Sequence, residues 1–217
     1  MTHDDIQTPG ERASGWALAA GAIVSAAGML YHPSTGGEGM AAVREFARES
    51  PIANVVHAVM MLALGALLVG FTGLSAALGW RSFLSRAGYV VYAIGGATMF
   101  GAATINGFAI GRVARAFLAS GSSDIAIIRD QLAPLGALSS TWAQLGAAGQ
   151  GLAFALWAAA LWRRAPLLAA LGAVAAAPAL AGGLGVLPLD VHGYLAVVVA
   201  QSVWTIAIGV QLARGRL

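Results

Sequence analysis

Residues 51–79 read PIANVVHAVMMLALGALLVGFTGLSAALG, an apolar stretch without Asp, Glu, Lys or Arg. A helix of about 20 apolar residues crosses the hydrocarbon core of a bilayer, so this stretch is long enough to span a membrane. Similar stretches recur along the chain, which is 59% hydrophobic and only 10% charged. Soluble domains carry about 25% charged residues. The composition therefore predicts a helical membrane protein that crosses the bilayer several times.

Six transmembrane helices are predicted from these stretches. They cover residues 14–31, 51–79, 86–110, 138–161, 166–185 and 191–213. Ser50 and Pro51 are typical of a helix start, so the second span is expected to begin there. We expect one transmembrane domain at residues 14–213 between cytoplasmic tails at 1–13 and 214–217.

Two outer connections between these spans are predicted to form short surface helices. The first covers residues 38–50 and has an apolar and a charged side. The second covers residues 125–132, with Asp124 as its N-cap and Pro134 ending it. The predicted fold is thus all-α, a bundle of six transmembrane helices with two short outer surface helices.

The charged residues predict the orientation and exclude some classes of protein. All 12 basic residues are arginines, and the predicted spans place seven on one side and five on the other. Basic residues concentrate on the cytoplasmic side, so both termini are expected in the cytoplasm and the protein in the inner membrane of a bacterium. The arginines form no basic patch that would indicate nucleic-acid binding. The chain has no cysteine, which excludes disulfides and thiolate metal sites.

Three histidines are predicted to lie at the outer end of the bundle. His32 ends the first span, His57 lies about two turns into the second, and His192 falls in the first turn of the sixth. Polar side chains in a membrane usually face a cavity or a partner. We therefore expect an outward-facing polar pocket. Further polar residues fall near the same level, namely Asn54, Asn106, Gln144 and Asp190.

The chemistry of this pocket leaves several functions open. His32, His57 and His192 are predicted to bind haem or a copper or zinc ion, because neutral imidazole is a common ligand for these groups. Asn54, Asn106 and Asp190 would orient these ligands. The alternative is a small transporter or lipid-binding accessory protein, in which the pocket takes an organic ligand. Its charge would then be recognised by Arg112 and Arg115, with Gln144 as a further contact. No specific catalytic motif is found, so an enzymatic activity is left open.

Small residues in the spans predict close helix packing. Gly107 and Gly111 form a GxxxG pair, which favours close approach of two helices in a bilayer. Packing within the chain is the first interpretation, and a homodimer through this face is the second.

Three short motifs resemble a known family. The first span ends in LYHP, the second carries NVVHAV, and the third contains ATINGFAIGR. In this succession the chain resembles a family of small six-helix bacterial integral membrane proteins that has no assigned activity. The resemblance extends over nearly the whole chain and implies the six-helix fold, but no site residue.

Overall fold

The computed structural model describes residues 9–33 and 38–217, and across these residues the protein is all-helical. The helices are α1 (Pro9–Leu30), α2 (Gly39–Ala77), α3 (Phe83–Thr104), α4 (Ile110–Ala119), α5 (Ile125–Leu161), α6 (Pro166–Gly183) and α7 (Val191–Ala213). A π-helical turn, Ile105–Ala109, joins α3 to α4 without a break. Of the predicted tail 1–13, residues 1–8 lie outside the described residues, and the remainder belongs to α1.

Five helical stretches of the described chain are long and apolar enough to cross a membrane. They are Pro9–Leu30, Gly39–Ala77, Phe83–Ala119, Pro166–Gly183 and Val191–Ala213. These stretches support the prediction of a multi-pass membrane protein. The fourth predicted span, residues 138–161, forms the C-terminal part of α5, which is not among the five.

Two predicted helix boundaries at proline are wrong. Pro51 was expected to start a span and Pro134 to end a surface helix, but each lies inside a continuous helix, α2 or α5. The two predicted surface helices are therefore the N-terminal ends of α2 and α5. Both proline rings are exposed. An interior proline costs about 3 kcal/mol, so packing of the two helix ends must outweigh this cost.

That packing involves a small hydrophobic cluster where three helices meet at one end of the bundle, which is the outer end in the predicted orientation. Val43 of α2 lies buried against Ala114 and Phe117 of α4 and Ile128 of α5. At 39 residues α2 is about 58 Å long, well beyond the roughly 30 Å of a bilayer core. The ends of α2, α4 and α5 thus pack together around Val43 and form a cap at this end of the bundle.

The long helices pack in chain order around a ring. Neighbours are α1 and α2, α2 and α3, α3 and α5, α5 and α6, and α6 and α7, and α7 closes the ring on α1. Glycines allow close contacts, as where Gly15 of α1 meets the backbone of α7 at Gly209 and Ala213. The cytoplasmic half of the ring, in the predicted orientation, is filled by stacked aromatic side chains. These are Phe71, Tyr92, Phe154, Trp157 and Trp204.

Two predicted N-caps are confirmed. The Asp124 carboxylate accepts a hydrogen bond from the Ala126 amide at 3.0 Å and begins α5. Asp190 accepts from the Gly193 amide at 2.8 Å and begins α7. Such caps satisfy amide groups that have no partner within the helix.

Candidate functional site

His32 and His57 form the centre of the candidate site. Their Nε2 atoms lie 3.2 Å apart, and the two rings meet edge to face with centroids 4.8 Å apart. His32 follows the end of α1, whereas His57 lies inside α2 and is only 5% exposed. The prediction that these two histidines share one level of the bundle is therefore confirmed, and they are in direct contact.

Hydrogen bonds to the backbone decide which ring nitrogens carry protons. The Nδ1 atom of His32 lies 3.0 Å from the Pro33 carbonyl oxygen, and Nδ1 of His57 lies 2.8 Å from the Ala53 carbonyl oxygen. A carbonyl oxygen can only accept, so each Nδ1 must donate. When both imidazoles are neutral, both Nε2 atoms are then unprotonated and present lone pairs to each other. That contact becomes favourable when a cation lies between them.

The π-helical turn positions His57. A Cβ atom added at Gly107 would lie 2.5 Å from Cβ and 2.7 Å from Cγ of His57, so only glycine lets α2 approach this closely. Hydrogen bonding orients the Asn54 amide so that its nitrogen donates to the Ser50 carbonyl at 3.0 Å and to the Gly107 carbonyl. A π turn disrupts the regular helical hydrogen bonds, and here Asn54 satisfies one of the carbonyls of that turn.

The GxxxG pair also serves packing within the chain. Gly111 lies against the Ser50 side chain, just as Gly107 lies against His57. Both glycines are buried against α2. The interpretation that the GxxxG pair packs helices within the chain is therefore confirmed. The same face, which was the alternative site for a homodimer, is covered by α2.

A cavity of about 220 Å³ adjoins the histidine pair. Its wall includes Glu49, Ser50 and Asn106. The Glu49 carboxylate accepts a hydrogen bond from Nε of Arg48 at 3.0 Å. Arg115 donates to the Ser50 hydroxyl, which places a guanidinium group directly behind the wall. The cavity therefore combines the imidazole pair with polar groups and one carboxylate.

Other predicted site residues lie apart from this cavity. His192 is exposed at the start of α7 and does not line the cavity, and Asp190 is occupied as the helix cap. Arg112 and Gln144 are exposed on α4 and α5. Within residues 9–33 and 38–217, no group of three His, Cys, Asp or Glu side chains could hold a metal ion. The predicted set of three histidines is therefore reduced to the pair His32 and His57.

Burial affects the protonation of His32, which lies beyond the end of α1. Loss of hydration lowers its pKa below the ordinary value, and the hydrogen bond to the Pro33 carbonyl opposes part of that effect. The neutral form is thus favoured, as metal binding requires.

A second cavity, in the middle of the helix ring, was not predicted from the sequence. The buried amides Gln150 and Gln201 line it, together with Ser202 and Thr205. The sequence does contain a signal for this cavity, namely the two glutamines inside predicted spans. Polar side chains within a membrane span are energetically costly and usually mark a functional site.

No protein-family model, curated protein or solved structure matches this chain. The resemblance to small six-helix bacterial membrane proteins therefore stays a prediction. The helices themselves define the class, a multi-pass helical membrane protein. Its most distinctive described feature is the contact between the two imidazoles at the edge of a polar cavity.

Proposed function

We propose that the protein binds a metal ion between His32 and His57, at the outer end of the membrane bundle, and acts in metal handling. One observation carries this proposal. Both Nε2 atoms converge to 3.2 Å while both Nδ1 groups donate to backbone carbonyls. Metal-binding histidines usually donate their second ring nitrogen in this way, which fixes the tautomer and the ring orientation.

The distance between the nitrogens supports a single ion rather than haem. Two imidazoles bound at about 2.0–2.1 Å to a tetrahedral ion have nitrogens about 3.3 Å apart. Two axial imidazoles on opposite sides of a haem iron at similar bond lengths would have nitrogens about 4 Å apart. The observed 3.2 Å agrees with the tetrahedral case. Copper and zinc are both compatible with imidazole ligands.

Two protein ligands leave coordination positions for water or a ligand molecule. The cavity of about 220 Å³ beside the pair provides room for them. Structural zinc sites in proteins are usually closed by four side chains. A site with two imidazoles and open positions is better suited to reversible binding than to holding a structural ion, and this favours a role in metal handling.

Metal content and affinity of the purified protein test this proposal. Wild type in detergent is expected to bind close to one equivalent of zinc or Cu(I) in a competition titration with a chromophoric chelator. His32→Ala and His57→Ala should each lose this binding. His192→Ala is the matched control, because it removes an exposed histidine from the same end of the bundle. Equal binding by all four proteins, or no binding by wild type, would refute the proposal.

A second candidate function is recognition of an anionic organic ligand in the same cavity. The contact between Arg115 and Ser50 favours it, because a guanidinium group then lies close to the cavity wall. Arg115→Gln should release a co-purified anionic lipid or acid that mass spectrometry detects. Arg112→Gln, a change at an exposed arginine on the same helix, should retain it. Absence of any bound anion from wild type would exclude this function.

We also propose that α5 forms a sixth span and that both termini are cytoplasmic, in the inner membrane. The arginine count of seven against five supports this orientation. Because the chain has no cysteine, single cysteines can report sidedness without background. Arg129→Cys should react with an impermeant maleimide in intact cells, whereas Arg164→Cys should react only after lysis. Labelling of Arg164→Cys alone in intact cells would show that the orientation is inverted. Labelling of both cysteines in intact cells would place the two ends of α5 on the same side of the membrane and refute the sixth span.

A further inference from the structure

The middle of the helix ring contains a cavity of about 100 Å³ that is separate from the histidine cavity. Side chains from α1, α2, α3, α5 and α7 line it. Phe71, Tyr92 and Phe154 belong both to this lining and to the aromatic cluster that fills the cytoplasmic half of the ring. The cavity is therefore bounded by aromatic rings at that end.

Two buried amides give this cavity its polar character. Gln150 of α5 is 8% exposed and Gln201 of α7 is 9% exposed, and both line the cavity. The Nε2 atom of Gln201 is buried without a hydrogen-bond partner in the described part of the chain. A buried amide donor without an acceptor is unfavourable, and inside a membrane such a group marks a functional site by default. A ligand with an acceptor oxygen would satisfy it.

The remaining lining restricts the chemistry of such a ligand. None of the side chains that line the cavity in residues 9–33 and 38–217 is charged, so an ionic ligand would lack a counter-charge there. Met60, Met61 and Met99 contribute flexible thioether walls that adapt to flat ligands. Apolar and aromatic walls with a few polar groups are typical of sites for small organic molecules.

We infer that the central cavity binds a flat, neutral ring that carries carbonyl oxygens, a molecule of the quinone class. The Gln201 amide donates to one carbonyl, and Gln150 provides a second amide on another helix of the ring. The aromatic side chains bound the ring of the ligand. This site does not depend on metal binding at His32 and His57.

p-Benzoquinone is a suitable probe for a cavity of this size, because it is an unsubstituted ring with two carbonyls and no charge. The chain has neither cysteine nor lysine side chains that this probe would modify. Trp204 lies close to the cavity, since its ring centroid is 4.7 Å from that of Phe154. Binding should therefore quench tryptophan fluorescence of the purified, detergent-solubilised protein in a saturable way with one site per chain. Quenching that rises linearly with p-benzoquinone, without saturation, would overturn the inference.

Gln201→Met tests the role of the amide, because methionine has a similar length but no donor. It should weaken p-benzoquinone binding at least tenfold while raising the melting temperature, since an unpartnered buried amide is removed. Gln144→Met, the same change at an exposed position of α5, should alter neither quantity. Unchanged affinity in Gln201→Met would overturn the inference. If that variant does not fold, Gln150→Met applies the same test with the same expected loss. Metal titration of each variant shows whether the change is confined to the central cavity. Metal affinity at His32 and His57 should be unchanged in these variants.

Discussion

Replacement of Gly107 by alanine should disturb the proposed metal site although Gly107 has no side chain to bind an ion. The added Cβ would lie 2.5 Å from Cβ and 2.7 Å from Cγ of His57. Carbon atoms in ordinary contact are about 3.5–4.0 Å apart, so α2 and the π turn must separate by about 1 Å, or the imidazole must swing away. Distances in metal sites tolerate only about 0.2 Å.

The expected result follows from these two distances. Affinity for the ion should fall about 10- to 100-fold, as it does when supporting groups of a metal site are disturbed. Overpacking should also destabilise the fold by about 1–3 kcal/mol. Both effects are measurable on detergent-solubilised protein, the first by competition titration with a chelator and the second by denaturant unfolding.

Two other glycines provide matched controls for this variant. A Cβ added at Gly65 of α2 or Gly136 of α5 would meet no atom of the described residues within 4 Å, apart from neighbouring backbone of its own helix. Alanine at either position should leave metal affinity unchanged and stabilise the helix by about 0.5–1 kcal/mol. If Gly107→Ala behaves like Gly65→Ala in both assays, the close contact between the π turn and His57 does not position the site, and the reasoning fails.

Three further predictions concern the surroundings of the pair. Asn54→Leu should destabilise the protein by about 1–3 kcal/mol in denaturant unfolding, because the Gly107 carbonyl loses a buried donor; a change below about 0.5 kcal/mol would contradict that role. The metal-free protein should lose stability as the pH falls below about 6.5. Burial lowers the pKa of His32, so the unfolded chain binds more protons there; melts across pH 5–7.5 should show this slope in wild type and a weaker slope in His32→Gln. Asp190→Ala should cost about 1 kcal/mol through loss of the helix cap and leave metal affinity unchanged; weaker binding would restore the predicted role of Asp190 as a support for the ligands.

The sequence predicts which histidines share a level but not which ones meet. Counting apolar spans places His32, His57 and His192 at one end of the bundle, because each span crosses the same bilayer. Contact also requires the rotation of each helix about its axis, which depends on packing against its neighbours. His57 is buried because Gly107 allows α2 to approach the π turn, whereas His192 is exposed at the first turn of α7. Span counting contains no information about this rotation.

Local signals also failed where tertiary packing outweighed them. Ser50 and Pro51 are a good helix start in isolation, yet α2 continues through them because its N-terminal end is packed against α4 and α5. The same holds for Pro134 in α5. The π turn has no comparable sequence signal, since its formation depends on contacts that Asn54 and His57 make across the helix interface.

The site lies where two irregular features of the backbone meet a side-chain hydrogen bond. The backbone features are the end of α1, just beyond which His32 lies, and the π turn, whose Gly107 lets α2 come close. The hydrogen bond is donated by the His57 ring to a carbonyl of its own helix. An ion between the two imidazoles would therefore tie the C-terminal end of α1 to α2. Binding of the ion would then also stabilise the fold, because a ligand that binds only the folded state lowers the free energy of that state. The proposed metal binding and the attachment of the end of α1 to α2 would thus both depend on the contact between His32 and His57.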